Sequence, residues 1–220
     1  MCWEKIKYGF KRKLTENLLQ GDFPTTGKYN FPQLAQVNYI PELPVLPFNY
    51  LKSTVDEGRY WYHCFISEEN FNRLYVNFRE YEEILKRTKG IISADFNLFR
   101  NYPEHMLIDN CRYNRSIDYA LQQAGIPMIP TAGFAGESSW EWCFDGLPLN
   151  STVAVTTNTL YDKEAHRLFV GGINVMVKKI QPTAIVVCGK CPDWMEKRFP
   201  EIQIVKIPNY SQMWHAREKI

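Results

Sequence analysis

Along the second half of the chain, short apolar runs with polar or small residues at their ends alternate with longer stretches whose apolar positions recur at helical spacing. The runs occupy residues 90–95, 126–131, 151–157 and 183–188, with an aromatic run at 60–66 before them and an alternating run at 202–207 after them. Each is short, rich in β-branched or aromatic residues and bounded by Gly, Pro or a cap signal, so each is predicted to be a strand. Helices are predicted in between. The first spans 68–87, where Phe71, Leu74, Tyr75, Phe78, Tyr81, Ile84 and Leu85 share one side and Gly90 follows the cationic end. Pro103 starts a second that runs to about Gln123 and breaks at Gly125, a third spans 162–180, and short ones are expected over 138–144 and 193–198.

Strand and helix in alternation predict an α/β fold: a mainly parallel sheet of about five or six strands with helices on both faces. An incomplete barrel is the alternative, because the same alternation builds either form and no topological switch is visible. Ahead of this core, residues 22–51 carry Pro24, Pro32, Pro41, Pro44 and Pro47, a density that excludes helix interiors and central strands. Phe31, Leu34, Val37, Leu46 and Phe48 in the same stretch are too apolar for a solvated linker, so a packed N-terminal arm is expected. One domain over 1–220 is predicted, with a short helix over 3–19 and the proline-rich arm in 1–58 packed on an α/β core in 59–220.

Composition changes this picture little. The 220 residues are 45% hydrophobic and 23% charged with a net charge of +2, values of an ordinary globular chain that neither demand nor exclude a polyanionic partner. The basic stretch Lys5, Lys7, Lys11, Arg12 and Lys13 is interleaved with Trp3, Tyr8 and Phe10, a mix suited to nucleic acid but equally to an amphipathic helix lying on a core. No apolar run reaches the ~20 residues of a membrane span and the start lacks a signal peptide's apolar core, so a cytoplasmic protein with no membrane partner is expected.

Candidate chemistry gathers at the strand tips, since ligands of open parallel sheets bind outside the carboxyl ends of the strands. Asp95, Asn97 and Arg100 follow one run, Thr131 and Glu137 the next, Thr156, Thr157 and Asn158 the third, and Gly189 and Lys190 the fourth. Asp95 and Glu137 suit an acid–base pair or the positioning of a ligand hydroxyl, and equally a turn or a helix amino terminus. A binding edge is favoured over a catalytic one, and neither a reaction nor a cofactor is specified. Cys188-Gly-Lys-Cys191 sits at a strand-to-helix junction like a redox pair, but it lacks the surround of one and no second paired motif completes a zinc site; no metal site is expected. Walker, GxGxxG and GxSxG motifs are absent.

Residues 90–97, 126–130, 140–146 and 151–155, taken in order, resemble domain of unknown function 4417, a family of proteins from phages, plasmids and other bacterial mobile elements. The resemblance covers roughly residues 88–192, with Asp95, Trp140, Phe144, Asp145 and Gly146 fitting the pattern. Two segments depart from it: cysteines flank Gly189 where an aromatic tip is usual, and Ala132 to Gly136 stands where the loop is commonly more polar. The resemblance implies a mobile-element origin, an intracellular location and no established reaction. The expected role is a phage or mobile-element accessory protein that binds a small polar or nucleotide-like ligand at the sheet edge. The alternatives are a DNA-associated replication or maintenance factor and an interaction protein that blocks a host complex.

Overall fold

The structure is a computed structural model that describes residues 18–19 and 22–212. Lys5, Lys7, Lys11, Arg12, Lys13 and most of the helix predicted over 3–19 lie outside the described residues. The arm opens with an antiparallel pair, β1 (Thr25–Thr26) and β2 (Phe31–Pro32), joined through Gly27 and Asn30 at positive φ. Seven parallel strands follow: β3 (Val45–Pro47), β4 (Trp61–His63), β5 (Gly90–Ile92), β6 (Met128–Ile129), β7 (Thr152–Thr156), β8 (Ala184–Cys188) and β9 (Gln203–Ile207). The additional strand beyond the six predicted is β3, contributed by the arm. Its proline is tolerated because β3 is the edge of the ladder β3-β4-β5-β6, with Pro47 opposite His63.

The second ladder is β7-β8-β9, with Thr156 opposite Cys188 and Cys188 opposite Ile207. A parallel bridge between Thr131 and Ala154 joins the two ladders: the Ala154 N–H donates to the Pro130 carbonyl at 2.9 Å, and the Ala132 N–H donates to Ala154 at 2.8 Å. The strands therefore lie in the order of the sequence, with no reversal that would mark the switch point of a doubly wound sheet. Successive right-handed crossovers then carry the helices to one side of the sheet.

The buried residues record that arrangement. Val45, Trp61, Ile92, Ile129, Ala154, Val186, Cys188 and Ile207, drawn from all seven strands, form one cluster with Phe65 that contains no helical residue. The alternate positions pack against helices. Leu46, Tyr62, Ile91 and Met128 meet Phe71, Leu74 and Leu85 of α1 (Glu68–Val76) and α2 (Phe78–Leu85). Val153, Val155, Ile185 and Val187 meet Phe169, Ile173 and Met176 of α4 (Lys163–Ile180) and Met195 of α5 (Trp194–Arg198). Between these halves, α3 (Glu104–Gln123) places Leu107 and Cys111 in one outer cluster and Ile117 and Leu121 in the other. No ladder pairs β9 with β3, so the described residues form an α/β assembly of parallel ladders and no closed barrel.

Two helical expectations change. The helix predicted over 68–87 is divided at Asn77, whose φ of −124° and ψ of 42° leave the helical region between α1 and α2. In place of a helix over 138–144 there is a 3-10 segment, Glu137–Glu141, with no side-chain cap hydrogen bond at its start. Ser139 closes this turn, its hydroxyl accepting from Ala135 N–H at 3.0 Å and donating to Gly136 at 2.7 Å. Trp140 consequently does not share a helix face with Phe144: Phe144 is buried, while Trp140 is half-buried against Gly171. Gly146, just beyond the segment, has a φ of +83°, and a Cβ there would stand 2.5 Å from the Pro32 carbonyl, so glycine is needed on both counts.

The centre of the outer core holds an ion pair. Arg115 and Asp118 on α3 are buried, with Nη1 and Oδ2 3.4 Å apart. Arg115 also donates to the carbonyls of Asp145 at 3.1 Å, Thr131 at 3.2 Å and Cys143 at 3.0 Å, tying α3 to the segment between β6 and β7. Planar guanidinium donors suit such a divergent set of acceptors.

Candidate functional site

A cavity of about 460 Å³ opens at the carboxyl ends of β5 and β7 and the connection after β6. Phe65, Leu98 and Phe99 line one part of its wall, Ala132 to Ala135 another, and Leu160, Leu168 and Phe169 the part nearest α4. Phe99 and Tyr161 stand at it partly and largely in solvent, at 39% and 86% exposure, so aromatic surface is available for contact with a bound group. Close packing of Phe134 against Phe144 and Phe169, with ring centroids 5.8 and 6.0 Å away, fixes the inner wall. A Cβ on Gly172 of α4 would lie 2.2 Å from the Phe134 ring, so the glycine in this helix is what admits that ring.

Asp95 is the carboxylate of the cavity wall that has no protein partner among the described residues. It is half-buried, lines the cavity and makes no hydrogen bond or ion pair with the described residues. Burial, reinforced by the nearby carboxylates of Asp118 and Glu68, pushes its carboxyl up to about 7. Gly133 lies beside it: a Cβ there would be 3.6 Å from Asp95 Oδ1 and 3.3 Å from Leu98, so glycine keeps the approach to the carboxylate open. Asp118, behind β5, is likewise pushed up to about 7 by burial despite the opposing pull of Arg115.

The other residues singled out in the sequence divide into three groups. Thr156 lines the cavity with Asp95, its hydroxyl accepting from the Asn158 N–H at 3.2 Å. Asn97 and Arg100 line it too, but both are engaged: Asn97 donates to Glu68 at 3.2 Å, and Arg100 makes two hydrogen bonds to Asp162 at 3.1 and 2.6 Å. A second group lies at the tips of β7, β8 and β9. Thr157 donates to the Cys188 carbonyl at 3.3 Å, Asn158 accepts from Asn209 at 2.8 Å, and Gly189, with a φ of +104°, is packed against Thr157; Lys190 is exposed beside it. The last two are elsewhere. Thr131 is buried and its hydroxyl donates to the Ala94 carbonyl at 2.7 Å, while Glu137 is exposed and paired with Arg167 at 2.6 Å. Asp95 and Glu137 therefore do not face one another across the cavity as an acid–base pair.

The cysteine motif does not have the surroundings of a reactive thiol. Cys188 is fully buried in the inner cluster and pushed up to about 12 by burial, with the Asp95 charge adding to the effect. Burial also raises Cys191, and the following helix begins only at Trp194, so no helix amino terminus stabilises a thiolate. Among the described residues no group of three or more His, Cys, Asp or Glu is placed to hold a metal ion, and no helix is long and apolar enough to cross a membrane.

Asp162 and the aromatic mouth are features that strand-tip reasoning misses. Asp162 caps α4, accepting from Ala165 N–H at 2.7 Å, and its hydrogen bonds from Arg100 and from backbone N–H hold its carboxyl down to about 2. Its position immediately before an amphipathic run is a readable capping signal. Phe99 and Tyr161 carry no such signal; they become mouth residues only when the turns after β5 and β7 meet.

The fold and cavity thus define an α/β protein with an open parallel assembly and a ligand-sized recess at the carboxyl ends of its strands. The chain belongs to the family described as a domain of unknown function, DUF4417, whose profile matches residues 23–207 and so takes in the arm as well as the strands. Two similar proteins come from phages. The Gene 1 protein of Mycobacterium phage D29 is 24% identical over 208 residues, covering 91% of this chain and 73% of that protein. The Gene 1 protein of Mycobacterium phage L5 is 23% identical over 205 residues, covering 91% and 86%. No solved structure matches the chain significantly.

Proposed function

We propose that this protein is a phage accessory protein that binds a small polar, nucleotide-like ligand in the cavity at the carboxyl ends of β5 and β7. The observation that carries the reading is the Asp95 carboxylate, half-buried in a recess walled by apolar and aromatic groups with no protein partner. A carboxylate partly withdrawn from water and without a protein partner carries a desolvation cost that a ligand donor would offset. The adjoining aromatic and aliphatic surface supplies the apolar contact that such a recess typically offers a small molecule. Asn97, Arg100 and Thr156 complete a polar rim, and the phage proteins among the relatives support the setting.

A thermal-shift screen of nucleosides, nucleotides and sugar phosphates against the parent and Asp95→Asn tests this reading. A ligand at about 100 times its Kd stabilises the native state by about 2.7 kcal/mol, a readily visible shift. The expected result is a compound that raises the parent's Tm and shifts the variant much less. A screen without a hit, or a hit that shifts both proteins equally, rejects the reading.

A further inference from the structure

Resting on the cavity reading above, the geometry points to a guanine-type heterocycle as the ligand, its two-donor edge held by the Asp95 carboxylate and its ring lying against the aromatic mouth. An ionised carboxylate offers two acceptor oxygens and no donor, so it selects a partner with two adjacent N–H groups. Guanine presents such a pair, N1–H beside the N2 amino group, with the O6 acceptor next to them. The same wall supplies a match for that acceptor: the backbone N–H groups of Gly133 and Phe134 donate no hydrogen bond within the described residues.

The other bases fail by electrostatics. Adenine and cytosine each pair one amino donor with a ring-nitrogen lone pair, and uracil flanks a single N–H with two carbonyls, so each sets a lone pair against the carboxylate. A divalent cation is disfavoured because the neighbouring acids are committed: Glu68 accepts from Asn97, and Asp162 is held by Arg100 and the Ala165 N–H. That commitment of Arg100 bears on the phosphate as well. It is the cationic side chain of the cavity wall, and both of its hydrogen bonds go to Asp162, so recognition is directed at the base and not at a phosphate.

Calorimetric titration of the full chain at pH 8 with guanosine, inosine, adenosine, cytidine, GMP and a sugar phosphate tests the inference, with Asp95→Asn alongside and circular dichroism to confirm that the variant is folded. Inosine lacks the N2 amino group and so loses one charge-assisted hydrogen bond, which corresponds to about tenfold or more in affinity. The expected result is binding of guanosine, at least about tenfold weaker binding of inosine, none of adenosine or cytidine, no gain for GMP, and loss of the guanosine preference in Asp95→Asn. Equal binding of adenosine and guanosine overturns the inference, as does a guanosine preference that survives in the variant. Asp95-dependent binding of the sugar phosphate alone overturns the guanine assignment and leaves the cavity reading standing, whereas absence of any Asp95-dependent binding removes both.

Discussion

Tyr50 and Tyr210 stack with ring centroids 6.2 Å apart, an interplanar angle of 15° and hydroxyls 3.1 Å apart, although they lie just beyond the first and last strands of the parallel series. In a flat sheet of seven strands spaced ~4.8 Å apart, the outer strands would be separated by roughly 29 Å. Contact between the two rings therefore means that the series curls until its edges approach. Curling is also what gathers side chains from every strand into one inner cluster.

The seam predicts measurable coupling between the two tyrosines. In a cycle of Tyr50→Ala, Tyr210→Ala and the double variant, an interaction energy of about 0.5–1.5 kcal/mol is expected, the usual worth of an aromatic pair beyond burial. Additive effects in urea unfolding would mean that the contact does not hold the edges together.

Asp95 predicts a defined pH dependence. Its folded value of about 7 lies above the ordinary 3.8, so the folded state holds a proton between those values that the unfolded state has released, and the contribution to stability falls as pH rises from about 4 to 7. Asp118 acts in the same direction. His63 opposes both over about pH 4 to 6.5, because burial lowers it to about 4 and the unfolded state takes up its proton first. The informative quantity is therefore the difference between variant and parent. Asp95→Asn should gain on the parent as pH rises from 5 to 8, by about 2–3 kcal/mol. A difference that does not vary with pH contradicts an ionising Asp95 in the cavity.

Arg115 and Asp118 predict an asymmetric result. Arg115→Met removes three hydrogen bonds to the carbonyls of Thr131, Cys143 and Asp145 and leaves Asp118 buried without its cation, so a loss of about 3–5 kcal/mol is expected. Asp118→Asn keeps the shape and leaves Arg115 its carbonyl partners, so about 1 kcal/mol is expected. Chemical denaturation of both variants checks the ranking, and equal losses would show that the ion pair dominates over the backbone ties.

Gly172 decides between local preference and packing. Replacing a helix-interior glycine with alanine ordinarily gains about 1 kcal/mol, but here the new Cβ would meet the Phe134 ring at 2.2 Å, and overpacking costs about 1–3 kcal/mol. Gly172→Ala should lower Tm and weaken any ligand that contacts Phe134. Gly136→Ala, where a Cβ meets nothing within 4 Å, should be neutral or slightly stabilising. A stabilised Gly172→Ala would show that Phe134 has room to move.

Periodicity was sufficient to place most elements. Short apolar runs in 151–157 and 183–188 mark β7 and β8, and the residues around Asp162 and Ile180 bound α4, because apolar runs, amphipathic spacing and caps are local properties written in neighbouring residues. Asn77 is not legible as a break, since the apolar face of 68–87 continues across it, and the 3-10 turn in place of a helix over 138–144 depends on Ser139, whose hydroxyl bonds Ala135 and Gly136.

What the sequence by itself determined, then, is the succession of strands and helices, the position of Asp95 at a strand tip and the arm's exclusion from the sheet interior by its prolines. Tertiary structure alone decided that the strands stack in chain order and curl, that Thr131 is consumed by the Ala94 carbonyl and Glu137 by Arg167, and that Asp95 is left facing a cavity. The physical reason is that hydrogen bonding and charge pairing across segments distant in the chain depend on which surfaces packing brings together. A residue's type announces what it is able to bond, and only its neighbours in space determine whether that capacity is already used.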